Sequence, residues 1–196
     1  MKRNAKTAVK RASPAAKPKR PAVVTERPGT WHLARTETER RLSDFEFRLE
    51  RLAQAYYRWK AACLAAVCDV PLTGDDVAVL NVVRMGDEPK RLSEIGQLLN
   101  RVDVPNLQYA TRKLVRAGLI ETEGSSSRKE TRYRATATGH AVTEAYAALR
   151  AATLPPMLEA LDGWAEKSEA TGTHLDSVSS LYTQAAQVAI TRRHQP

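Results

Sequence analysis

Several things are scarce in this chain of 196 residues, and each scarcity excludes a class of protein. It has two cysteines, Cys63 and Cys68, five positions apart in a helical stretch. On a helix that spacing puts them on different faces, which suits neither a mutual disulfide nor a metal pair. No run of about 18 apolar residues occurs, so no transmembrane helix is expected. The N-terminus is basic but has no apolar core of a secretory leader. Four histidines (His32, His140, His174, His194) are scattered without metal-ligand spacing. A His-Glu-x-x-His pair, a phosphate-cradling glycine loop and a Gly-x-Ser-x-Gly elbow are all missing. The expectation is a cytoplasmic protein without catalysis, cofactor or metal.

Charge is abundant but uneven. The formal net charge is +9, and residues 1–28 hold nine Lys/Arg against one acid, Glu26. The other 22 bases and 21 acids nearly cancel. Residues 1–30 are rich in Lys, Arg, Ala and Pro and too poor in large apolar side chains to offset ordering entropy, so a disordered basic tail is expected. Such a tail could add salt-dependent phosphate affinity or serve only solubility. The rest of the chain needs locally clustered charge to bind a polyanion.

Periodicity then orders the chain. Leu42, Phe45, Leu49, Leu52, Tyr56, Trp59, Cys63 and Ala66 alternate spacings of three and four, an a/d seam on a long helix from Thr36 to Cys68. Thr73 with Asp76 signals a capped second helix. Leu92, Ile95, Leu98 and Leu99 mark a short third helix to Asn100. Asp103 is placed to cap a fourth, Pro105 fits its first turn, and Gly118 ends it. Leu107, Ala110, Leu114 and Val115 form its expected buried side. Residues 119–122 and 131–135 read as two strands around a polar, basic tip that includes Arg128 and Lys129. Helices follow from Thr136, with an interruption or kink expected at Pro155-Pro156 and a last helix opening at a Thr173–Asp176 capping box. Two helices joined by a tight turn and followed by a β-ribbon make a winged helix-turn-helix, a module that reads DNA.

The reading helix would present Asn106, Gln108, Tyr109 and Arg112 outward, with Lys113 beside them. Asn and Gln can pair with adenine, Arg with guanine, and Tyr can reach phosphate or a thymine methyl. Arg128 and Lys129 at the tip suit a minor groove or phosphate, and Arg132 with Arg134 would extend the basic face. Each of these is also ordinary solvated surface unless DNA is the partner. The aromatic set Tyr56, Trp59 and Tyr146 is a candidate ligand-pocket lining or plain core.

The element order, the Leu72-Thr73 opening of the second helix and the block Leu114-Val115-Arg116-Ala117-Gly118-Leu119-Ile120 resemble MarR-type transcriptional regulators. Where that family usually reads Leu-Thr-x-x-Gly after the wing, this chain has Ala135-Thr136-Ala137-Thr138-Gly139. The resemblance spans about Arg35 to Arg192. It implies a mainly α fold with a small β-wing, a winged helix-turn-helix between N- and C-terminal dimerisation helices. The implied domains are a tail (1–30), an N-terminal dimerisation helix (31–70), the DNA-binding lobe (71–137) and C-terminal dimerisation helices (138–196). It further implies a homodimer on a palindromic operator of double-stranded DNA, in the cytoplasm at the nucleoid. Many relatives are repressors released by small, often aromatic, effectors bound between dimer helices and DNA-binding lobe, and some sense oxidants, which makes Cys63 and Cys68 candidates. The tip departs from the family's Asp-x-Arg pattern, since Ser127 precedes Arg128 and Lys129. An architectural DNA binder relying on its tail and a winged-helix protein-interaction module are the competing readings.

Overall fold

The computed structural model describes residues 31–124 and 131–192. It divides into two compact units, one ending at Gln54 and one starting at Ala55. The expected tail lies outside the described residues.

In the first unit, Trp31 meets the edge of Phe47 with ring centroids 5.2 Å apart. Helix α1 (Glu37–Ala65) begins here. Its start is closed reciprocally, Glu39 N–H donating to Thr36 Oγ1 and Thr36 N–H to Glu39 Oε2. Glu37 pairs with Arg40 and Arg41, at 2.7 and 3.0 Å. Leu42 and Leu52 of the a/d seam stay about half exposed.

The second unit holds the core. Helix α2 (Gly74–Arg84) carries the expected capping box from Thr73 and Asp76, and buries Val77, Val79, Leu80 and Val83. Helices α3 (Leu92–Leu98) and α4 (Val104–Arg116) follow. Strands β2 (Ile120–Glu123) and β3 (Arg132–Ala135) are antiparallel, with Glu121 opposite Arg134 and Thr122 opposite Tyr133. A third strand, β1 (Lys90–Arg91), was not expected; it pairs with β3 to give the order β1-β3-β2. Two residues carry no strand signal of their own, so only the partner reveals them. The core joins Leu64, Leu80, Ile95, Leu107, Leu114, Leu119 and Ile120. Val115, expected inside, is exposed, while Thr111 is fully buried and turns its hydroxyl back to the Leu107 carbonyl.

Thr136 caps helix α5 (Ala137–Glu159), accepting from Gly139 N–H and donating to the Gly118 carbonyl. A Cβ on Gly139 would lie 1.9 Å from the Leu119 carbonyl oxygen, so this position excludes any side chain. That close approach is the physical content of the Thr-x-x-Gly pattern.

Two helix breaks read from the sequence do not occur beyond this point. Pro155 and Pro156 lie inside α5 and do not interrupt it. Their missing N–H groups leave the carbonyls of Ala151 and Ala152 without helix donors, and both residues are exposed, so water can serve them. Thr173 opens no helix: α6 (Trp164–Arg192) runs unbroken through Ala170-Thr171-Gly172, and Thr173 Oγ1 donates to the Glu169 carbonyl within it. A glycine costs a helix interior only about 1 kcal/mol. The break between the last two helices falls instead at residues 160–163.

Candidate nucleic-acid interface

Helix α4 is fixed from its inner side. Leu107, Ala110, Thr111 and Leu114 are buried, which leaves Asn106, Tyr109, Arg112 and Arg116 exposed and Gln108 half-buried. Asn106, Tyr109, Arg112 and Arg116 recur at spacings of three and four, so they form one row along the helix. Arg116 extends that row and escaped the list of candidates, although its distance of four from Arg112 signals it. Val102, in the turn before α4, is 94% exposed, an apolar side chain held in solvent beside the helix start.

The start itself is built differently from a simple cap. Asp103 occupies the N-cap position but makes no side-chain bond to the helix backbone. Its carboxylate takes Arg101 Nε at 3.0 Å, Arg101 Nη2 at 2.8 Å and Asn106 Nδ2 at 2.9 Å. Arg101 also reaches Asp75 of α2, 3.3 Å away. The bonded Arg101 guanidinium holds the Asp103 carboxyl well below the usual carboxylate range, and Asn106 adds to this. Arg101 is correspondingly pushed up, first by its bond to Asp103. The turn is thus tied to α2 by charge, and Arg101 is already matched by acids.

Other cations are also occupied. Lys113 Nζ lies 2.7 Å from Asp76 Oδ2, and the Asp76 side chain is only 4% exposed. Its ammonium therefore stabilises the α2 cap, since Asp76 also accepts from Thr73. Arg134 is paired with Glu121 across β2 and β3 at 2.8 Å, and Arg132 Nη1 donates to the Pro89 carbonyl at 3.2 Å. Arg128 and Lys129 lie outside the described residues.

Residues 72–139 match the family model of a winged helix DNA-binding domain. The likeness to solved structures reaches further. AbfR of Staphylococcus epidermidis shares 15% identity over 76% of this chain and 97% of that one, with a TM-score of 0.60. The M. tuberculosis transcriptional regulator MOSR, solved in complex with DNA, shares 16% over 73% of this chain and 96% of its own, at 0.54. MarR shares 16% over 67% and 97%, at 0.53. The fold is that of MarR. Among curated protein sequences, none matches the chain.

Within this MarR fold, Tyr56, Trp59 and Tyr146 do come together. They line a cleft of about 380 Å³ with Asn81, Arg84 and Arg150. The Trp59 and Tyr146 rings are 6.4 Å apart and tilted. Arg84 pairs with Asp87 and with Glu144, the latter at 2.8 Å, while its Nε is buried without a hydrogen-bond partner. Burial pushes the Tyr146 hydroxyl up. Burial likewise pushes up the Cys63 thiol, which disfavours the reactive thiolate. Both cysteines are free thiols. No helix of the described residues is long and apolar enough to cross a membrane, and no group of three metal-ligating side chains occurs among them.

Proposed function

We propose that this chain is a dimeric, sequence-specific DNA-binding transcriptional regulator of MarR type, a repressor relieved by a small aromatic ligand. The observation that carries the DNA-binding part is α4, whose inner side is locked into the core while Asn106, Tyr109, Arg112 and Arg116 stand outward in one row. Arg112 supplies a cation to phosphate or guanine, and Arg128 and Lys129 follow by their place between the wing strands. The complex of MOSR with DNA supports the same use of the fold here.

Dimerisation has support from α6, which has no buried residue along 29 positions yet exposes Leu181, Val188 and Ile190. Apolar surface of this extent marks an interaction site. A two-fold dimer reads a palindrome whose half-sites lie about one helical turn, roughly 10 bp, apart. The cleft of Tyr56, Trp59 and Tyr146 supports a flat aromatic effector, with Arg150 at hand for an anionic substituent. Such a regulator acts in the cytoplasm, on the nucleoid, and needs neither cofactor nor catalysis.

Selection of bound sequences from a random DNA pool tests the core of this reading. A palindromic preference that survives deletion of residues 1–28 supports it. Binding without preference, lost on that deletion, overturns it in favour of an architectural DNA binder. Arg112→Ala should weaken binding and reduce the salt slope by about one.

A further inference from the structure

The first turn of α4 carries an amide whose orientation is set by the protein itself. Asp103 is an ionised carboxylate and can only accept hydrogen bonds, so the NH2 end of a neighbouring amide must face it. Asn106 Nδ2 donates to Asp103 Oδ2 at 2.9 Å. The carboxylate cannot swing away, because Arg101 grips both of its oxygens and is itself anchored by Asp75. With one N–H engaged, Asn106 offers outward its carbonyl oxygen and its second N–H, on an exposed residue.

An acceptor and a donor side by side complement one base edge in the major groove. Adenine presents an N6 donor beside an N7 acceptor. Guanine shows two acceptors, cytosine a donor alone, and thymine an acceptor with a methyl group. We infer that Asn106 reads one adenine in each half-site, and that Asp103 is the positioning residue that fixes its amide for that base. This rests on the DNA-binding reading above and adds base identity to it. Arg101 offsets part of the acid's charge, which lessens the repulsion between Asp103 and nearby phosphates.

The test uses the full-length protein and a duplex recovered from the random-pool selection. Each adenine is replaced in turn by purine, which lacks the 6-amino group, or by 7-deazaadenine, which lacks N7. The wild-type protein should lose about tenfold in affinity with either analogue at one position per half-site. Asn106→Ala should be indifferent to both analogues there. Asp103→Asn, which can turn either amide end toward Asn106, should lose most of the discrimination between adenine and the two analogues. A readout on the unliganded wild-type protein does not depend on any variant folding. Its two Asn106 side-chain amide protons should exchange with solvent at clearly different rates, and equal rates overturn the positioning role. Wild-type sequence preference with no position that Asn106→Ala silences overturns the adenine assignment and leaves the regulator reading standing. A pool without any preference overturns that reading instead.

Discussion

The winged lobe on one side, and helix α6 with the start of α1 on the other, are stabilised in opposite ways. In the lobe, α2, α4 and β2 bury Leu80, Leu114 and Ile120 almost completely, and the buried Asp76 and Thr111 find partners, Asp76 in Thr73 and Lys113, Thr111 in the Leu107 carbonyl. Helix α6 buries nothing, and its hydroxyls turn back on their own backbone at Thr173, Ser177, Ser180 and Thr183. The start of α1 relies on local ion pairs at i+3 and i+4. A helix of 29 residues can persist on local bonds, but its apolar side chains then remain in water. The lobe's core takes in Leu64 of α1 and Tyr146 of α5, whereas α6 leaves Leu181, Val188 and Ile190 exposed.

The sharpest way to break this contrast is to truncate one leucine on each side. Leu114→Ala, at a fully buried site, should cost about 3 kcal/mol in urea denaturation. Leu181→Ala, at a 62% exposed site, should cost under about 0.5 kcal/mol at concentrations where the protein is monomeric. Equal losses would mean that α6 is part of the same cooperative core. Gly139→Ala comes next, at about 2 kcal/mol, because the new methyl must displace the Leu119 backbone rather than a flexible side chain. A lower melting temperature with unchanged helix content in the survivors would confirm the close approach.

The same contrast explains what could be read from the sequence. Inside the lobe, local signals and packing agree: Thr73 and Asp76 cap α2, Gly118 ends α4 with φ +68°, and the apolar spacing places Leu107, Ala110 and Leu114 inward. In the flanks nothing but local signal is available, and there it misled. The proline pair at 155–156 and the Ala-Thr-Gly at 170–172 resemble breaks, yet both lie within helices. The candidate interface divides along the same line. The outward row of α4 follows from helical period alone. Lys113 stands next to that row in sequence, but its partner Asp76 is 37 residues away, and no local pattern reveals such a pair. Tyr146 joins Trp59 and Tyr56 across a still longer separation, which was legible only as a shared aromatic character.

If the flanks hold a dimer together, the exposed leucine that is neutral in the monomer becomes sensitive once association is measured. Leu181→Ala should weaken self-association about tenfold in sedimentation equilibrium, the loss of about 1.4 kcal/mol that truncating one of an interface's few central anchors brings. The wild-type melting temperature should rise with protein concentration, and that dependence should flatten in the variant. Unchanged association would move the interface off α6 and leave its apolar side unexplained by a second copy.

The smallest effect separates local charge from core most cleanly, because it can be titrated without any substitution. Arg40, with Arg41, holds the Glu37 carboxyl down to about 2, through hydrogen bonds in the first turn of α1. A folded-state value below the ordinary 4.5 means the group stabilises fully above that ordinary value and loses its contribution as pH falls through the folded one. Helix signal from α1 should therefore decline between pH 4.5 and about 2, with amide-exchange protection of the buried α2 residues Val77 and Leu80 less affected. Because Glu37 is solvent-exposed, the change should shrink in high salt, as screening of a surface pair requires. Glu37→Gln removes the titrating group and should flatten the profile over that window. If the variant keeps the full acid transition, then the start of α1 draws its stability from apolar contacts, as the lobe does, and the division between core and flank fails at this end.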